Sequence, residues 1–595
     1  MASSGEELPT DVKGCGCEQE HDGARGRCLP AEMLFHGCRT QCCASLDAPL
    51  ADVPRRLKMC SWAEEDVELA PRVGVFGKAS SVSESGSSTS STSTGPALFP
   101  QGGLAPAHAS SRPLPELYAF DREALGRGTY GEVRGATHRR SGARRAVKIV
   151  AKACVERYVQ DAGSFVRREV DVLRRLDHPN VVRIHEAFED DEHIYIVLEL
   201  CEGGDLLERV IAGQDRMPER VVSALMQQML SALQHLWLRG VVHRDLKPEN
   251  FLFTRREPER EPLPPASAPL KLIDFGLARS LTDSGTLAAA RVTPKIGTNE
   301  YMAPEAAVGR TRPALADRMD VWSLGVVLHV TLIGHFPSPH IAEVNMEEYL
   351  ALSVFAHLSP QAREFLGALL TPDPARRLSV SEALRHPWIL GASAQGEAVG
   401  RLARSLPLAV QVHARSPGFR RLALAAIARE ADDSGLRHLR EIFYTLQLAC
   451  GGSLTQIALA QVAAGQPQAL AALAAELDRR FVALDADGSG SLEWSEIVAA
   501  VLGSAGDSAL RGCGVAPAGG EACHRAFDLL SEGALAISPG SLAHLFGGAR
   551  PEGDTIGSFG RQRAALGEEH FERMLFEVEC AGHIDALAFL ELARG

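Results

Sequence analysis

Polar and apolar positions alternate differently in successive parts of the chain, and the N-terminal part shows no regular pattern at all. Residues 78–96 are serine-rich, and proline-rich sequence continues to about Pro115. Such a segment buries too little apolar surface to offset the entropy lost on ordering. We therefore predict a disordered tail over residues 1–116.

The ordered part begins with strands and changes to helices. From about Leu117, apolar and polar residues alternate around glycine turns, which is typical of strands and hairpins. Between Glu219 and Leu238 the apolar residues recur at helical spacing, and a proline-rich insert at 254–269 must loop out at the surface. Beyond the "HPWIL" segment (386–390) the sequence is alanine- and leucine-rich. The pattern predicts three further regions: an α+β domain (117–390), a connecting helix (391–432) and a small all-α domain (433–595).

Charge and hydropathy exclude several classes of protein. The formal net charge of −13 argues against a general binder of nucleic acid or anionic membranes, because phosphates need clustered Lys and Arg. No segment has the roughly 18 consecutive apolar residues of a membrane-spanning helix. The start, "MASSGEELPT", lacks a signal-peptide core and the glycine after Met1 that myristoylation requires. We expect a cytoplasmic protein without a transmembrane segment.

Cysteines are concentrated in the tail. Seven of the 13 lie in the first sixty residues: Cys15, Cys17, Cys28, Cys38, Cys42, Cys43 and Cys60. A reducing cytosol disfavours disulfides. Zinc binding together with His21 and His36, and palmitoylation of Cys42 and Cys43 with peripheral membrane association, are two possible functions. The spacing matches no standard zinc pattern, so a tail with free thiols is the favoured interpretation.

Several motifs of one chemistry follow each other in the α+β domain. The "LGRGTYGEV" segment supplies Gly126, Gly128, Gly131 and Val133, and glycines let backbone amides approach phosphates closely. This spacing alone also occurs in dinucleotide-binding folds. The "AVK" segment then places Lys148 on a strand, and "FVRREV" offers Glu169 on a helix as its ion-pair partner. The set is completed by "HRDLKPEN" (243–250), "DFG" (274–276), "APE" (303–305) and "DVWSLGV" (320–326).

These motifs, in this order and spacing, resemble the eukaryotic protein kinase family over about 117–390. The resemblance implies a bilobal α+β fold that transfers the γ-phosphate of ATP with Mg²⁺ as cofactor. It implies that Asp245 accepts the hydroxyl proton and that Lys247 stabilises the transferring phosphate. Asn250 and Asp274 would hold magnesium. The ATP contacts that it implies are Gly126, Gly128, Gly131, Val133, Ala146, Lys148, Glu199, Cys201 and Asp205.

The same resemblance suggests the class of substrate. A lysine two residues after Asp245 is similar to Ser/Thr kinases rather than Tyr kinases. Asp205, Glu208 and Glu249 match acidic positions that read basic residues upstream of the phosphorylated site in related kinases. We expect protein substrates with arginine about three residues before Ser or Thr. An ordinary exposed acidic face is the alternative interpretation.

A second chemistry lies in the all-α domain, where "DADGSGSLEWSE" (485–496) has the pattern of a twelve-residue calcium loop. Gly490 makes its sharp turn, and Leu492 is expected to pair with a neighbouring loop. The spacing predicts six calcium ligands: Asp485, Asp487, Ser489, Ser491 (through its carbonyl), Glu493 and Glu496.

Three neighbouring segments resemble degenerate copies of this loop. The first has Gln447, Ala449 and Ala458 at ligand positions, so it should keep a helix–loop–helix shape without binding calcium. Another begins near Ser531 and runs about one residue short. The last keeps Glu577, Glu579, Gly582, Ile584 and Asp585 but has Ala588 at the closing position, which should weaken calcium binding severely.

A kinase domain followed by four EF-hand-like units resembles the calcium-dependent protein kinases over residues 117–595. The segment between the two domains supports this, because "FRRLALAAIA" (419–428) places Phe419, Leu422, Ala426 and Ile427 on one helical stripe beside two arginines. A basic amphipathic helix is typical of calmodulin targets, although a helix packed permanently on its neighbours is also possible. The resemblance implies an autoinhibitory junction that contacts the EF-hand domain and releases the active site when calcium binds.

The sequence departs from this family in three respects. Pro294 stands where an acidic residue usually pairs with Arg244, and phosphorylation of Thr293 is a possible substitute. Only twenty residues (338–357) separate "GHFP" from "LSPQAREFL", where the family has a longer segment. A single complete calcium loop predicts activation with a Hill coefficient near one. Two alternatives remain: a calcium-binding scaffold with an idle kinase fold, and a constitutively active kinase with a structural EF-hand domain.

Overall fold

The computed structural model describes residues 114–128, 131–157, 162–212, 217–255, 269–280, 299–308, 313–391, 397–431, 436–465, 468–486, 488–503, 520–530, 536–537, 578 and 584–594. Several predicted features lie outside these ranges: the tail cysteines with His21 and His36, the serine-rich segment, Thr293, Pro294, Asp487, Ser531, Glu577, Glu579 and Gly582.

The N-lobe is a five-stranded antiparallel sheet in the order β1-β2-β3-β5-β4. Its strands are β1 (Tyr118–Gly128), β2 (Gly131–His138), β3 (Arg144–Ala151), β4 (Ile184–Glu189) and β5 (His193–Leu198). Helices α1 (Leu114–Leu117), α2 (Lys152–Glu156) and α3 (Ala162–Arg174) accompany the sheet. Helix α1 includes residues before the predicted start of the domain at Leu117, because Leu114 is buried and packs with Tyr118 against the sheet.

The C-lobe is built around two long buried helices, α5 and α7. Its helices are α4 (Leu206–Ala212), α5 (Glu219–Leu238), α6 (Pro304–Ala307), α7 (Asp317–Ile333), α8 (Met346–Leu350), α9 (Pro360–Leu369), α10 (Val380–Leu384) and α11 (Pro387–Leu390). Two short antiparallel strand pairs complete it: β6 (Val241–Val242) with β9 (Arg279–Ser280), and β7 (Phe251–Phe253) with β8 (Leu270–Leu272). The bounds of α5 coincide with the predicted helix.

The shortened segment 338–357 folds onto the C-lobe core. The Asn345 side chain caps α8 by accepting hydrogen bonds from the backbone N–H groups of Glu347 and Glu348. Tyr349 and Phe355 then stack around His329 of α7, with ring centroids 5.1–6.0 Å apart. The short segment therefore closes the base of the lobe with one helix and an aromatic cluster.

The described part of the chain beyond the C-lobe, here called the helical module, is mostly helical and contains two short strand pairings. Its helices are α12 (Glu397–Arg415), α13 (Gly418–Glu430), α14 (Arg437–Ala449), α15 (Gln456–Gly465), α16 (Gln468–Arg479), α17 (Phe481–Leu484), α18 (Trp494–Leu502), α19 (Gly520–Leu530) and α20 (Ala586–Arg594). Leu492 bridges Leu454 in the preceding loop, which confirms the predicted pairing. Strands β10 (Ala536–Ile537) and β11 (Ile584–Asp585) pair in the same way.

The connection between the C-lobe and the rest of the module differs from the single helix named above. It contains two helices, α12 and α13, because Pro417 takes an extended conformation (φ −51°, ψ 151°) immediately before α13. Phe419, Leu422 and Ile427 of α13 are buried in the core of the module.

The predicted fold class, a bilobal α+β domain followed by a helical region, is confirmed. Within the described residues, no helix is both long and apolar enough to cross a membrane.

Candidate functional site

An ion-pair network, in which Glu169 is buried and Asp274 is half-exposed, joins the two lobes. Lys148 lies on β3 opposite Val133 of β2 and Ile196 of β5. Its Nζ atom is 2.7 Å from Oε1 of Glu169 on α3 and 2.9 Å from Oδ1 of Asp274. The charge of Lys148 holds the pKa of Asp274 well below its usual range, although burial opposes this. Asp274 is therefore a carboxylate that can bind a cation.

The catalytic loop is held in shape by its own polar groups. Lys247 Nζ lies 3.0 Å from Oδ2 of Asp245, and Asn250 Nδ2 donates to the Asp245 carbonyl at 2.7 Å. The buried carboxylate of Asp320, on α7, accepts the backbone N–H groups of His243 and Arg244 at 2.8 Å each. These bonds fix Arg244 at a φ of 71°, a left-handed conformation that is uncommon outside glycine. The loop is thus pre-organised around Asp245.

The glycine-rich segment forms the hairpin between β1 and β2. Gly126 and Gly128 have no heavy atom within 4 Å of where a Cβ would lie, whereas a Cβ on Gly131 would meet the Ile149 carbonyl at 1.8 Å. Gly131 is therefore required for the close approach of β2 to β3, and the other two glycines leave open space that fits a phosphate.

The remaining predicted ATP residues line the path from the sheet to the C-lobe. Ala146 is buried on β3. Glu199, just after β5, pairs with the buried Lys271 at 3.0 Å. Cys201 follows, and burial raises the pKa of its thiol far above the ordinary value. Asp205 accepts a 2.7 Å hydrogen bond from the Glu208 backbone at the start of α4.

Arg244 donates from Nε to the Leu277 carbonyl at 2.9 Å. Burial and the neighbouring charge of Arg279 lower the pKa of Arg244 to about 10. The predicted substitute partner, Thr293, lies outside the described residues together with Pro294, so its role stays a prediction.

The predicted calcium loop lies between α17 and α18. Asp485 accepts hydrogen bonds from the backbone N–H groups of Ser489 (3.0 Å) and Gly490 (3.1 Å), and Gly490 has a φ of 77°. Glu496 closes the loop by accepting the N–H groups of Ala486 (2.6 Å) and Glu493 (2.9 Å). The carboxylates of its first and last residues therefore hold the loop together.

The oxygen donors of this loop fit calcium chemically. Carboxylates, a hydroxyl and the Ser491 carbonyl are the ligands that Ca²⁺ prefers. Ser489 Oγ donates to that carbonyl at 2.8 Å. Within the described residues, which omit Asp487, no group of three or more His, Cys, Asp or Glu side chains is gathered closely enough to hold a metal. Glu493, one of the predicted ligands, contacts a residue outside the loop.

Glu493 pairs with Arg239 of the C-lobe. The guanidinium Nη2 donates to Oε1 of Glu493 and, at 3.1 Å, to Oγ of Ser491. Arg239 follows the last residue of α5 and stands six residues before Asp245 in the chain. A second contact comes from Ser495, whose backbone N–H donates to Oδ2 of the buried Asp177 at 3.1 Å. The calcium loop therefore contacts two segments of the kinase domain. One leads into the catalytic loop, and the other follows α3.

The described parts of the first and last degenerate loops are consistent with their sequences. Helices α14 and α15 flank the first, which confirms the predicted helix–loop–helix shape. In the last, Asp585 accepts the Ala588 N–H at 2.9 Å and so caps α20, and Ala588 offers no side-chain oxygen.

Sequence reasoning missed Asp177, Arg239 and Asp320. Asp320 begins the "DVWSLGV" motif, whose position was noted without assigning a role to its carboxylate. No local pattern marks Asp177 or Arg239, because their partners lie 318 and 254 residues away.

The known proteins that are similar to this chain are protein kinases. Residues 120–389 match the protein kinase domain family. Calcium-dependent protein kinase 3 of Plasmodium yoelii yoelii is 31% identical over 396 residues, covering 65% of this chain and 69% of the relative. Calcium-dependent protein kinase 7 of Arabidopsis thaliana is 32% identical and covers 64% and 68%. CDPK-related kinase 7 of the same plant is 36% identical over 351 residues, 56% of each chain.

Proposed function

Since the chain belongs to the calcium-dependent protein kinase family and is a protein serine/threonine kinase, we propose that calcium in the 485–496 loop controls phosphorylation of arginine-containing substrates. Phosphoryl transfer needs positioning and charge neutralisation rather than covalent chemistry. Asp245 orients the substrate hydroxyl and accepts its proton, and Lys247 neutralises the transferring phosphate. Asn250 and Asp274 are the oxygen donors for Mg²⁺, which neutralises phosphate charge when bound.

The contact of Arg239 with Ser491 and Glu493 is the observation that carries the calcium part of this proposal. Glu493 is at once a predicted calcium ligand and the partner of a kinase arginine. Its side chain is only 9% exposed, so the pair is largely shielded from solvent screening. Because Ca²⁺ and Arg239 draw on the same carboxylate, loading the loop changes the interaction of Arg239. That change reaches the catalytic loop through the short link to Asp245.

The packing of α13 supports an interaction between the junction and the EF-hand units. Its buried Phe419 and Leu422 share one core with residues of α18, the exit helix of the calcium loop. A shift of α18 on calcium binding would therefore be felt by α13.

The acidic residues near the catalytic loop support the preference for basic substrates. Oε2 of the half-buried Glu249 has no hydrogen-bond partner among the described residues. Burial raises the pKa of Glu249 and also that of Asp205. A buried carboxylate oxygen without a donor is destabilised, and a substrate guanidinium would supply both charge and donors. We therefore assign Asp205, Glu208 and Glu249 to recognition of the upstream arginine.

A peptide kinase assay with calcium or with a chelator tests the proposal. We expect phosphorylation of a peptide with arginine three residues before serine to rise about tenfold with calcium, within the usual range of allosteric coupling. Lys148→Met should abolish activity, and Glu496→Gln should remove the calcium response. Arg239→Gln should bring the ratio of the two rates toward one, while Arg220→Gln, on the exposed face of the same helix, should leave it unchanged. Equal rates of the unmodified enzyme in both conditions would indicate a constitutively active kinase instead.

Substrate preference needs a separate comparison. Glu249→Gln should raise KM about tenfold for the arginine peptide and leave KM unchanged for the same peptide with alanine, because one charge-assisted contact is lost. Glu343→Gln, whose side chain is 79% exposed, is the control. An equal loss for both peptides would contradict a role in reading arginine.

A further inference from the structure

The first helix–loop–helix unit of the module, α14 and α15 with their loop, lies against the C-lobe although it lacks the calcium carboxylates. Tyr444 on α14 donates its hydroxyl proton to Oδ1 of the buried Asn180. Ser231 on α5 donates from Oγ to Oε1 of Gln447 at 2.7 Å. Gln447 is the residue at the first ligand position of the degenerate loop, and it is buried. The side chain that would face a calcium ion is therefore used to bind the kinase domain.

The hydrogen bonds at Gln447 have a defined direction. The Asn180 backbone N–H donates to Nδ1 of His178 at 3.1 Å, so the ring proton is on Nε2. That nitrogen lies 3.0 Å from Ser231 Oγ, which in turn donates to Gln447. The chain ends on the Gln447 carbonyl oxygen, and burial lowers the pKa of His178 to about 3, so every group in it is neutral.

A neutral acceptor is what this position requires. A glutamate here would offer the same oxygen but would place a negative charge next to a neutral ring, in a site where Gln447, Ser231 and His178 are each less than a tenth exposed. Burying a carboxylate without a compensating charge is strongly unfavourable. The contact of Gln447 with the C-lobe therefore explains why a carboxylate is absent at this ligand position.

The loop backbone is fitted to the same surface. Gly452 has a φ of 111°, and a Cβ there would lie 2.4 Å from Nε2 of Gln234 on α5. The Gln234 amide bonds to Ser381 Oγ at 3.0 Å and lies 3.4 Å from the Gly451 carbonyl. Only glycine combines this conformation with so close an approach.

We propose that residues 437–465 are a calcium-independent anchor, which keeps the EF-hand module attached to the C-lobe while the 485–496 loop responds to calcium. The inference rests on the proposed calcium regulation. It assigns different tasks to the two paired loops: the first holds the module in place, and the second, through Arg239, transmits the state of the calcium site.

Hydrogen exchange of the full-length protein, with calcium and with a chelator, tests the anchor. In the unmodified protein we expect the amides of 178–183 and 447–455 to show the same protection in both conditions. Gln447→Glu should accelerate their exchange about tenfold in both, because it removes the neutral acceptor from a buried site. Gln456→Glu, the same change at an exposed position of the unit, should have no effect.

Ser231→Ala tests the same contact from the kinase side and should loosen residues 447–455 as well. Loss of protection on adding or removing calcium would overturn the calcium-independence, and unchanged exchange in both the Gln447 and Ser231 variants would overturn the anchor. Neither result depends on kinase rates. A failure of calcium to alter phosphorylation, with exchange as expected, would instead refute the proposed regulation and leave the anchor standing.

Discussion

Glu430, at the end of α13, is a single carboxylate on which three parts of the molecule converge. It pairs with Arg145 of β3, with His185 of β4 at 3.1 Å, and with Arg525 of α19 at 3.1 Å. These four side chains are at most 12% exposed. Burial would raise the pKa of Glu430, but His185 and Arg145 outweigh it and hold the pKa far below the ordinary value. The junction is therefore fixed to the N-lobe and to the module by one charge.

Replacing Glu430 should lower the stability of the protein. Glu430→Gln leaves two buried arginines without their carboxylate, and we expect the free energy of unfolding to fall by about 3 kcal/mol. Glu441→Gln, which removes a half-exposed pair with Arg437 on α14, should change it by less than about 0.5 kcal/mol. Urea denaturation of both variants measures the difference. Similar small effects in both would show that the Glu430 cluster contributes little.

At the scale of elements, α13 behaves as a core helix rather than a surface helix. All residues from Leu422 to Ala428 are buried, so neighbours cover it on more than one face. The sequence prediction of one apolar stripe underestimated this, because it counted Ala426 but left out Leu424 and the other alanines, although small side chains allow helices to pack closely.

Two isoleucines, one on α13 and one on α15, test how closely α13 is packed. Ile427 is fully buried. Ile427→Ala should lower the free energy of unfolding by about 2–5 kcal/mol, because the smaller side chain leaves a cavity. Ile457 of α15 is 75% exposed, and the same change there should be close to neutral. Thermal unfolding monitored by circular dichroism distinguishes them. Equal shifts in Tm would mean that α13 is not packed as described.

At the scale of the whole molecule, the steepness of the response to calcium depends on the number of complete calcium loops. The sequence contains one loop with a full set of ligands. Since cooperativity requires coupled sites, we expect kinase activity to rise with calcium with a Hill coefficient near one. A titration of activity in calcium buffers measures this value, and a steep curve would show that a second loop binds calcium.

Stability of the molecule should also depend on pH. Burial, together with the charges of Arg421 and Arg420, lowers the pKa of His413 on α12 to about 4. An unfolded histidine has a pKa of about 6.5. The unfolded chain therefore binds more protons than the folded one between these values, and stability falls as pH falls through this window. His413→Gln should reduce the loss of stability between pH 7.0 and pH 5.5 by about 1.3 kcal/mol, because the unfolded histidine gains most of its proton in this interval. Chemical denaturation at pH 7.0 and 5.5 tests this, and an unchanged loss would contradict it.

The sequence indicated the elements and motifs well and the contacts between distant segments poorly. Helix α5 and the pairing of Leu492 follow from periodicity and loop position, which are local. The sequence also indicated Glu169 as the ion-pair partner of Lys148, and the structure places the two side chains in contact. The contacts of Arg239 and Gln447 could not be predicted, because their partners are distant in the chain. The position of Gln447 in the degenerate loop shows that a calcium ligand is missing, but it does not show which surface the side chain contacts. The break at Pro417 could have been predicted, since proline cannot donate to the preceding turn of a helix.

The glutamine at position 447 also constrains how this chain can evolve. Regaining a second calcium site would require an acid at that position, and the first such substitution would place an unpaired charge inside the kinase contact. The path back to cooperative calcium binding therefore passes through a less stable protein unless the kinase surface changes at the same time. The contact with the kinase domain therefore keeps this calcium site from returning.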